Sequence, residues 1–201
     1  YISRFKLKNN FPKQTNIIII GGGIMGCSTA YHLMKNGCKD VILLERAKLT
    51  CGTTWHSAAQ VRQLRSSESL TRIVQNSVNL YSNLEEETGQ ATGWKETGSL
   101  SIANNQDRLT HIRRQASLSK AFGIGVEEIT VRKASEKWPL MRFDDLMGAV
   151  FSPSDGRVNP SDVCTALIKA SKSRGLKVFE DTPVTGISTR NGRVSSIQTS
   201  K

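Results

Sequence analysis

The hexapeptide Gly21-Gly22-Gly23-Ile24-Met25-Gly26 carries G-x-G-x-x-G as Gly21, Gly23 and Gly26, and Glu45 follows 19 residues beyond Gly26. Gly21 permits a tight turn, Gly23 lets the backbone approach a pyrophosphate, and Gly26 lets a helix pack closely on a strand. An acidic side chain at Glu45 accepts hydrogen bonds from ribose hydroxyls and disfavours a 2′-phosphate, so a dinucleotide other than NADP is expected. Further along, Thr50-Cys51-Gly52-Thr53-Thr54-Trp55-His56 ends in an imidazole. An imidazole nitrogen can be alkylated by the 8α carbon of an isoalloxazine, which would retain a flavin and raise its potential. The alternative reading is an ordinary loop histidine bonded to backbone. Arg62 and Arg65 come next. A guanidinium suits bidentate recognition of a carboxylate; a structural or surface role is the alternative for each.

The glycines require a strand before them and a helix after. Asn16 is followed by four isoleucines, Ile17 to Ile20, a run apolar on both faces as expected of a strand in a covered parallel sheet. The helix is expected from about Ile24 to Lys35, with its N-terminal N–H groups and dipole favouring a diphosphate and Asn36-Gly37 ending it. Val41 to Leu44 forms the second strand and leads into Glu45. A lone G-x-G-x-x-G is weak, but strand, glycines, helix, strand and acid in one unit are the context the motif demands. The glycines do not separate FAD from NAD. An NAD domain usually continues with further βα units, whereas here a Gly/Thr-rich loop, Leu49 to Ser57, leads into an amphipathic helix at about Ser69–Glu87. Leu70, Ile73, Val74, Leu80, Tyr81 and Leu84 make its apolar stripe, and Glu85-Glu86-Glu87 mark its end before Gly89.

Beyond it, Leu100 to Ala103 alternates like a strand. Asp107 to Phe122 reads as a basic helix ended by Gly123, and Val131 to Trp138 as a short helix stopped by Pro139. Asn159 is an N-cap with Pro160 at the first helical position and Asp162 in the first turn of a helix running to about Ser173. Leu176–Phe179, Pro183–Ser188 and Arg193–Thr199 read as strands, with Asn191-Gly192 as the turn between the last two.

At this point the chain resembles the sarcosine and dimethylglycine dehydrogenase family, flavin amine oxidoreductases of the D-amino-acid-oxidase-like fold. Leu44-Glu45-Arg46, Leu49-Thr50-x-Gly52-Thr53-Thr54-Trp55-His56, Leu84 to Gly89, Pro139-Leu140-Met141, Asp155-Gly156-x-Val158-x-Pro160 and Pro183 to Ile187 carry the resemblance. It covers nearly the whole chain from Asn16 on, and Gly93-Trp94 and Gln63-Leu64-Arg65 lean towards the sarcosine enzyme. The resemblance implies an α/β fold: a partial Rossmann-like FAD-binding domain with an inserted, incomplete α+β substrate-binding domain. The expected division is a basic arm at 1–15, a βαβ unit with flavin loop and helix at 16–90, a partial substrate domain at 91–150 and a return to the FAD domain at 151–201. The implied cofactor contacts come from Gly21, Gly23, Ile24, Met25, Gly26, Glu45, Arg46, Thr53 and Thr54, from His56 as covalent tether, and from Val184 beside the adenine. One departure stands out. The family has glycine at or near the position after the Ala58-Ala59 pair, where this chain has Gln60.

The resemblance also implies a further FAD-domain strand, most of the substrate-domain sheet and a closing C-terminal segment. None is in this sequence, so the chain reads as a piece of a longer protein or as a truncated gene product, and a complete catalytic site is not expected from these residues alone. The implied chemistry is oxidative demethylation of an N-methylated glycine, by hydride transfer from the N-methyl carbon to flavin N5 and hydrolysis of the iminium to formaldehyde. Capture of the one-carbon unit by tetrahydrofolate would need an absent C-terminal domain. The electron acceptor is an electron-transfer flavoprotein or oxygen. Two other readings stay open: a non-catalytic regulator like the regulatory subunit of pyruvate dehydrogenase phosphatase, which shares the pattern without the Trp-His pair, and a noncovalent FAD amino-acid oxidase.

The formal charge is +11, and residues 1–39 hold no Asp or Glu. The basic residues are scattered and no nucleic-acid motif accompanies them, so a solvated basic surface is expected rather than a nucleic-acid partner. Cys27, Cys38, Cys51 and Cys164 have neither C-x-x-C nor metal spacing and are expected as reduced thiols. His32 and His111 read as structural or exposed, and no metal site is visible. No apolar stretch is long enough to span a membrane. The acid-free arm Tyr1–Thr15 suits either the tail of a mitochondrial transit peptide or an ordinary arm; the expected location is the mitochondrial matrix, or the cytoplasm for a bacterial protein.

Overall fold

The computed structural model describes residues 11–65 and 67–200; the basic arm expected at the start lies outside the described residues as far as residue 10. In chain order the elements are β1 (Ile17–Ile20), α1 (Ile24–Lys35), β2 (Val41–Leu44), a 3₁₀ turn (Thr54–His56), β3 (Gln60–Val61) and α2 (Glu68–Thr88). Then follow β4 (Ser99–Ala103), α3 (Gln106–Ala121), β5 (Glu127–Ile129), α4 (Val131–Lys137), β6 (Gly148–Ser152) and β7 (Gly156–Arg157). The last are α5 (Pro160–Ser173), β8 (Lys177–Phe179), β9 (Val184–Arg190) and β10 (Arg193–Thr199). Two compact units result: residues up to Cys51 together with Leu167 onward, and Gly52–Ala166. The Thr54–His56 turn and α2 group with the second unit, not with the glycine loop.

The first unit is built on a parallel sheet of order β1-β2-β8. Ile17 pairs with Val41 and Ile20 with Leu44, while Leu44 also pairs with Phe179. β2 is central and all four of its residues are buried. β1 departs from expectation: Ile19 is buried, but Ile20 is 51% exposed. β1 has only β2 as a neighbour among the described residues, so its far side borders a groove of about 470 Å³ walled by the β9–β10 hairpin. Asn191 and Gly192 turn that hairpin with φ of 52° and 72°, the geometry of a two-residue turn with both residues left-handed.

The second unit centres on an antiparallel sheet of order β4-β6-β5. One face packs Ala103 and Val150 against Leu109 and Ile112 of α3. The other gathers Ile129, Ala134 and Ala149 with Leu100, Ile102 and Phe151. Side chains alternate between the faces because the strand period is two. The helix α2 starts one residue earlier than its pattern suggests, at a Ser67 cap whose side chain accepts from the Leu70 N–H, and ends at Gly89 with φ 61°. Its expected stripe is only partly inward. Leu84 is buried and joined by Thr71 and Val78, whereas Leu70 and Ile73 are 51% and 60% exposed. Leu70 and Ile73 belong to the helix's first two turns, and the buried side begins with Thr71, whose hydroxyl accepts from the Arg65 N–H and donates to the Ser67 carbonyl.

Candidate functional site

In the first unit the chain leaves β1 into the glycine turn, where the Gly21 N–H donates to the Leu44 carbonyl at 2.8 Å. A Cβ at Gly26 would land on the Gly21 carbonyl oxygen, so only glycine lets α1 start this close to the turn. The N-cap, Gly23, offers no side-chain acceptor, and the first turn of α1 holds no acidic residue. The positive end of the helix dipole is therefore left for an anionic ligand. Met25 lies in that first turn with its side chain in solvent.

Glu45 is buried beneath the turn. Its Oε2 accepts the Gly22 N–H at 2.6 Å, and its Oε1 accepts the Ala47 N–H at 3.0 Å and the Cys51 thiol at 3.7 Å. Burial by itself raises the carboxyl's pKa, but these donors and the neighbouring Arg46 outweigh it and hold the group below the ordinary carboxylate value. A carboxylate offers about four lone-pair sites, so Oε2 keeps capacity for a ribose hydroxyl. The β8–β9 connection braces the same loop: Glu180 accepts the Leu49 N–H at 2.8 Å, and Thr182 N–H donates to the Glu45 carbonyl. Arg46 is exposed, and Val184 begins β9 opposite Thr199.

In the second unit, Thr53 caps the 3₁₀ turn through its carbonyl, which accepts the His56 N–H at 3.2 Å. The Trp55 and His56 rings lie 3.8 Å apart between centroids, and both side chains are exposed. Ala59 follows with φ 61°, a left-handed conformation that favours glycine. The chain thus needs glycine-like geometry one residue before Gln60 and supplies it with alanine.

Arg62 and Arg65 line a cavity of about 300 Å³ with Ser101, Arg108, Gln115 and Asp155. The Arg62 guanidinium donates to the Ser101 hydroxyl at 2.7 Å. Between the two arginines, the Gln63 N–H donates to Asp155 Oδ1 at 2.9 Å, and the Gln63 amide donates to the Ser154 carbonyl and hydroxyl. Asp155 is buried, and its Oδ2 accepts the Ser99 hydroxyl at 2.6 Å. The carboxylate thereby pins the segment that carries both guanidiniums. Gly156, next in sequence, is required because a Cβ would meet the Trp94 ring at 2.6 Å and the Lys95 carbonyl at 2.7 Å.

The family described as "DAO: FAD dependent oxidoreductase" matches residues 16–201. The chain belongs to this FAD-dependent oxidoreductase family. It is 42% identical over 194 residues to mouse mitochondrial sarcosine dehydrogenase, covering 94% of this chain and 21% of the relative. It is 39% identical over 190 residues to the mouse mitochondrial pyruvate dehydrogenase phosphatase regulatory subunit, covering 94% of this chain and 22% of that relative. The fold matches L-proline dehydrogenase from P. horikoshii with a TM-score of 0.88 at 29% identity, over 94% of this chain and 50% of that one. The chain thus spans about a fifth of the length of the curated relatives it matches.

The family's cofactor fits what the first unit presents: a glycine turn closed tightly on a helix N-terminus, and an inward carboxylate with spare acceptor capacity. The residues singled out from sequence divide between the units. Gly21, Gly23, Ile24, Met25, Gly26, Glu45, Arg46 and Val184 lie in the first; Thr53, Thr54, His56, Arg62 and Arg65 lie in the second. Arg62 and Arg65 do share a cavity. Asp155 and Arg108, which line the same cavity, were not singled out as site residues from sequence. Asp155 stands in the Asp155-Gly156 motif, but a motif does not reveal that its carboxylate reaches back to Gln63. Arg108 looks like any basic residue of a polar helix. Among the described residues no group of three His, Cys, Asp or Glu side chains could hold a metal ion, and no helix is long and apolar enough to cross a membrane.

Proposed function

We propose that the chain is the FAD-binding and partial substrate-binding portion of an amine oxidoreductase acting on an N-methylated glycine, sarcosine or dimethylglycine. Gly21 to Gly26 hold the diphosphate, Glu45 the ribose, and Val184 the adenine edge. Bound FAD supplies the hydride acceptor for the N-methyl C–N bond, and water then releases formaldehyde or the one-carbon unit passes to tetrahydrofolate on another domain. Arg65, with Arg62, binds the substrate carboxylate, supported by their shared cavity and the Asp155 brace. The mitochondrial residence of the mouse relatives supports the same compartment here. An electron-transfer flavoprotein or oxygen takes the electrons.

The observation that carries this reading is the state of His56. Its imidazole is exposed, and its only partner among the described residues is the Trp55 ring. Its ring is open to solvent, so a nitrogen lone pair of the neutral imidazole can be reached by a cofactor. His56 is the residue that would attach the flavin: its ring nitrogen would take the place of a hydrogen on the 8α carbon, with the two electrons released passing to the flavin's own electron acceptor. The test is acid precipitation of the natural protein. A yellow pellet, turned colourless by His56→Ala, supports the tether. A colourless pellet under a yellow supernatant leaves FAD binding and removes the tether. Absence of flavin altogether favours a non-catalytic regulator, a second reading kept by the 39% identity to the phosphatase regulatory subunit.

A further inference from the structure

The cavity of the second unit carries more positive charge than one carboxylate needs. Arg62, Arg65 and Arg108 line it against a single acid, Asp155. Asp155 is already committed, since its two oxygens accept from Gln63 and Ser99. Arg62 bonds only the neutral Ser101 hydroxyl. Among the described residues the Arg65 and Arg108 guanidiniums take no hydrogen bond or ion pair. Arg108 also comes from a separate element, the first turn of α3, so its position does not follow that of Arg62 and Arg65. Three guanidiniums converging on one cavity whose only carboxylate is already engaged favour an anion there. A monoanion satisfies the pair Arg62/Arg65 and leaves Arg108 unmatched.

We propose that Arg108 is a second anion anchor, and that the ligand of this cavity is a small organic dianion: an N-methylated amino acid bearing a second carboxylate. This keeps the amine-oxidoreductase reading above but makes a dicarboxylate, not N-methylglycine, the preferred substrate, and it rests on the assignment of Arg62 and Arg65 to the first carboxylate. The second carboxylate reaches Arg108 on α3, and Ser101, Gln115 and Ser152 line the same cavity as hydrogen-bonding groups. The cavity, about 300 Å³, lies within the size range of small-molecule sites.

The test uses the natural protein and two unreactive probes, succinate and acetate, followed by thermal upshift and by inhibition of N-methylglycine oxidation. Succinate is expected to act at roughly tenfold lower concentration than acetate, the difference one added charge-assisted contact makes. Arg108→Gln should bring succinate to the level of acetate while leaving acetate unchanged, and Arg108→Lys should restore part of the preference. N-methylaspartate should show a higher kcat/KM than N-methylglycine in the parent only. Arg108 is exposed on its helix, so these variants should fold. Equal responses to the two probes, or a preference that survives Arg108→Gln, would overturn the inference while leaving N-methylglycine oxidation and the function above intact. Failure of either probe to act, with N-methylglycine also unoxidised, would overturn both.

Discussion

The glycine turn and the arginine cavity solve opposite problems. In the turn, the polar groups answer one another within one βαβ unit: Glu45 meets the Gly22, Ala47 and Cys51 donors, and Gly26 sits against Gly21. In the cavity, the charged groups come from the stretch after β3, from α3 and from the turn before β7, and two guanidiniums have no hydrogen-bond or ion-pair partner among the described residues. The first region is shaped before ligand arrives. The second gathers three guanidiniums around one committed carboxylate. Short-range geometry makes the turn readable from a motif, whereas the cavity depends on tertiary packing.

The largest effect should come from Gly26→Ala. The new methyl has nowhere to go but the Gly21 carbonyl, so we expect a loss of about 3 kcal/mol, the upper end for overpacking, together with loss of bound flavin. Urea melts and flavin absorbance check it, and a stable, fully yellow variant would break the claim that the turn is sterically fixed. Asp155→Ala should cost about 2 kcal/mol by leaving the buried Gln63 N–H without its acceptor. It should also raise the KM for an amine substrate, because Arg62 and Arg65 lose their brace. A stability loss with unchanged KM would show that Asp155 only packs the cavity.

Glu45→Gln probes the turn more gently. The folded carboxyl ionises below its ordinary value, so its contribution is complete above the unfolded pKa and is lost as pH falls through the folded one. The parent should therefore lose stability on acidification through the carboxylate range that the variant does not lose; parallel pH–stability curves would contradict this. The smallest effect is a gain. Ala59→Gly relieves a left-handed alanine and should add about 0.5 kcal/mol after the entropy cost of glycine, read as a raised melting temperature. No gain would mean that the Ala59 backbone carries no strain.

Much of the fold was legible because its signals are short. Asn159 and Pro160 mark the start of α5, Gly89 marks the end of α2, and Asn191-Gly192 turns the last hairpin. β6 was missed although it is the central strand of the second sheet. Its sequence, Gly148-Ala149-Val150-Phe151-Ser152, is too short and too mixed to announce a strand, and pairing with β4 and β5 makes it one. Leu70 and Ile73 misled for the complementary reason: helical spacing predicts which residues share a face, not whether another element covers it. At the site, the glycines and Glu45 were visible because a single unit contains their whole logic. Arg62 and Arg65 were visible as types but not as a cavity, and Asp155 became meaningful only when its partner, Gln63, was seen 92 positions away in sequence.

The pairing of β2 with β8 has an evolutionary side. It joins Leu44 to Phe179, and Lys48 bridges to Asp181 across 133 positions, so the second unit, Gly52–Ala166, is carried between two adjacent strands of the first unit's sheet. Closing a long loop costs only about 0.6 kcal/mol more each time its length doubles. The interior can therefore lengthen, shorten or be rebuilt for a new ligand with little effect on the strands that flank it. A lineage can hold its nucleotide turn constant while trying out different chemistries in the insert.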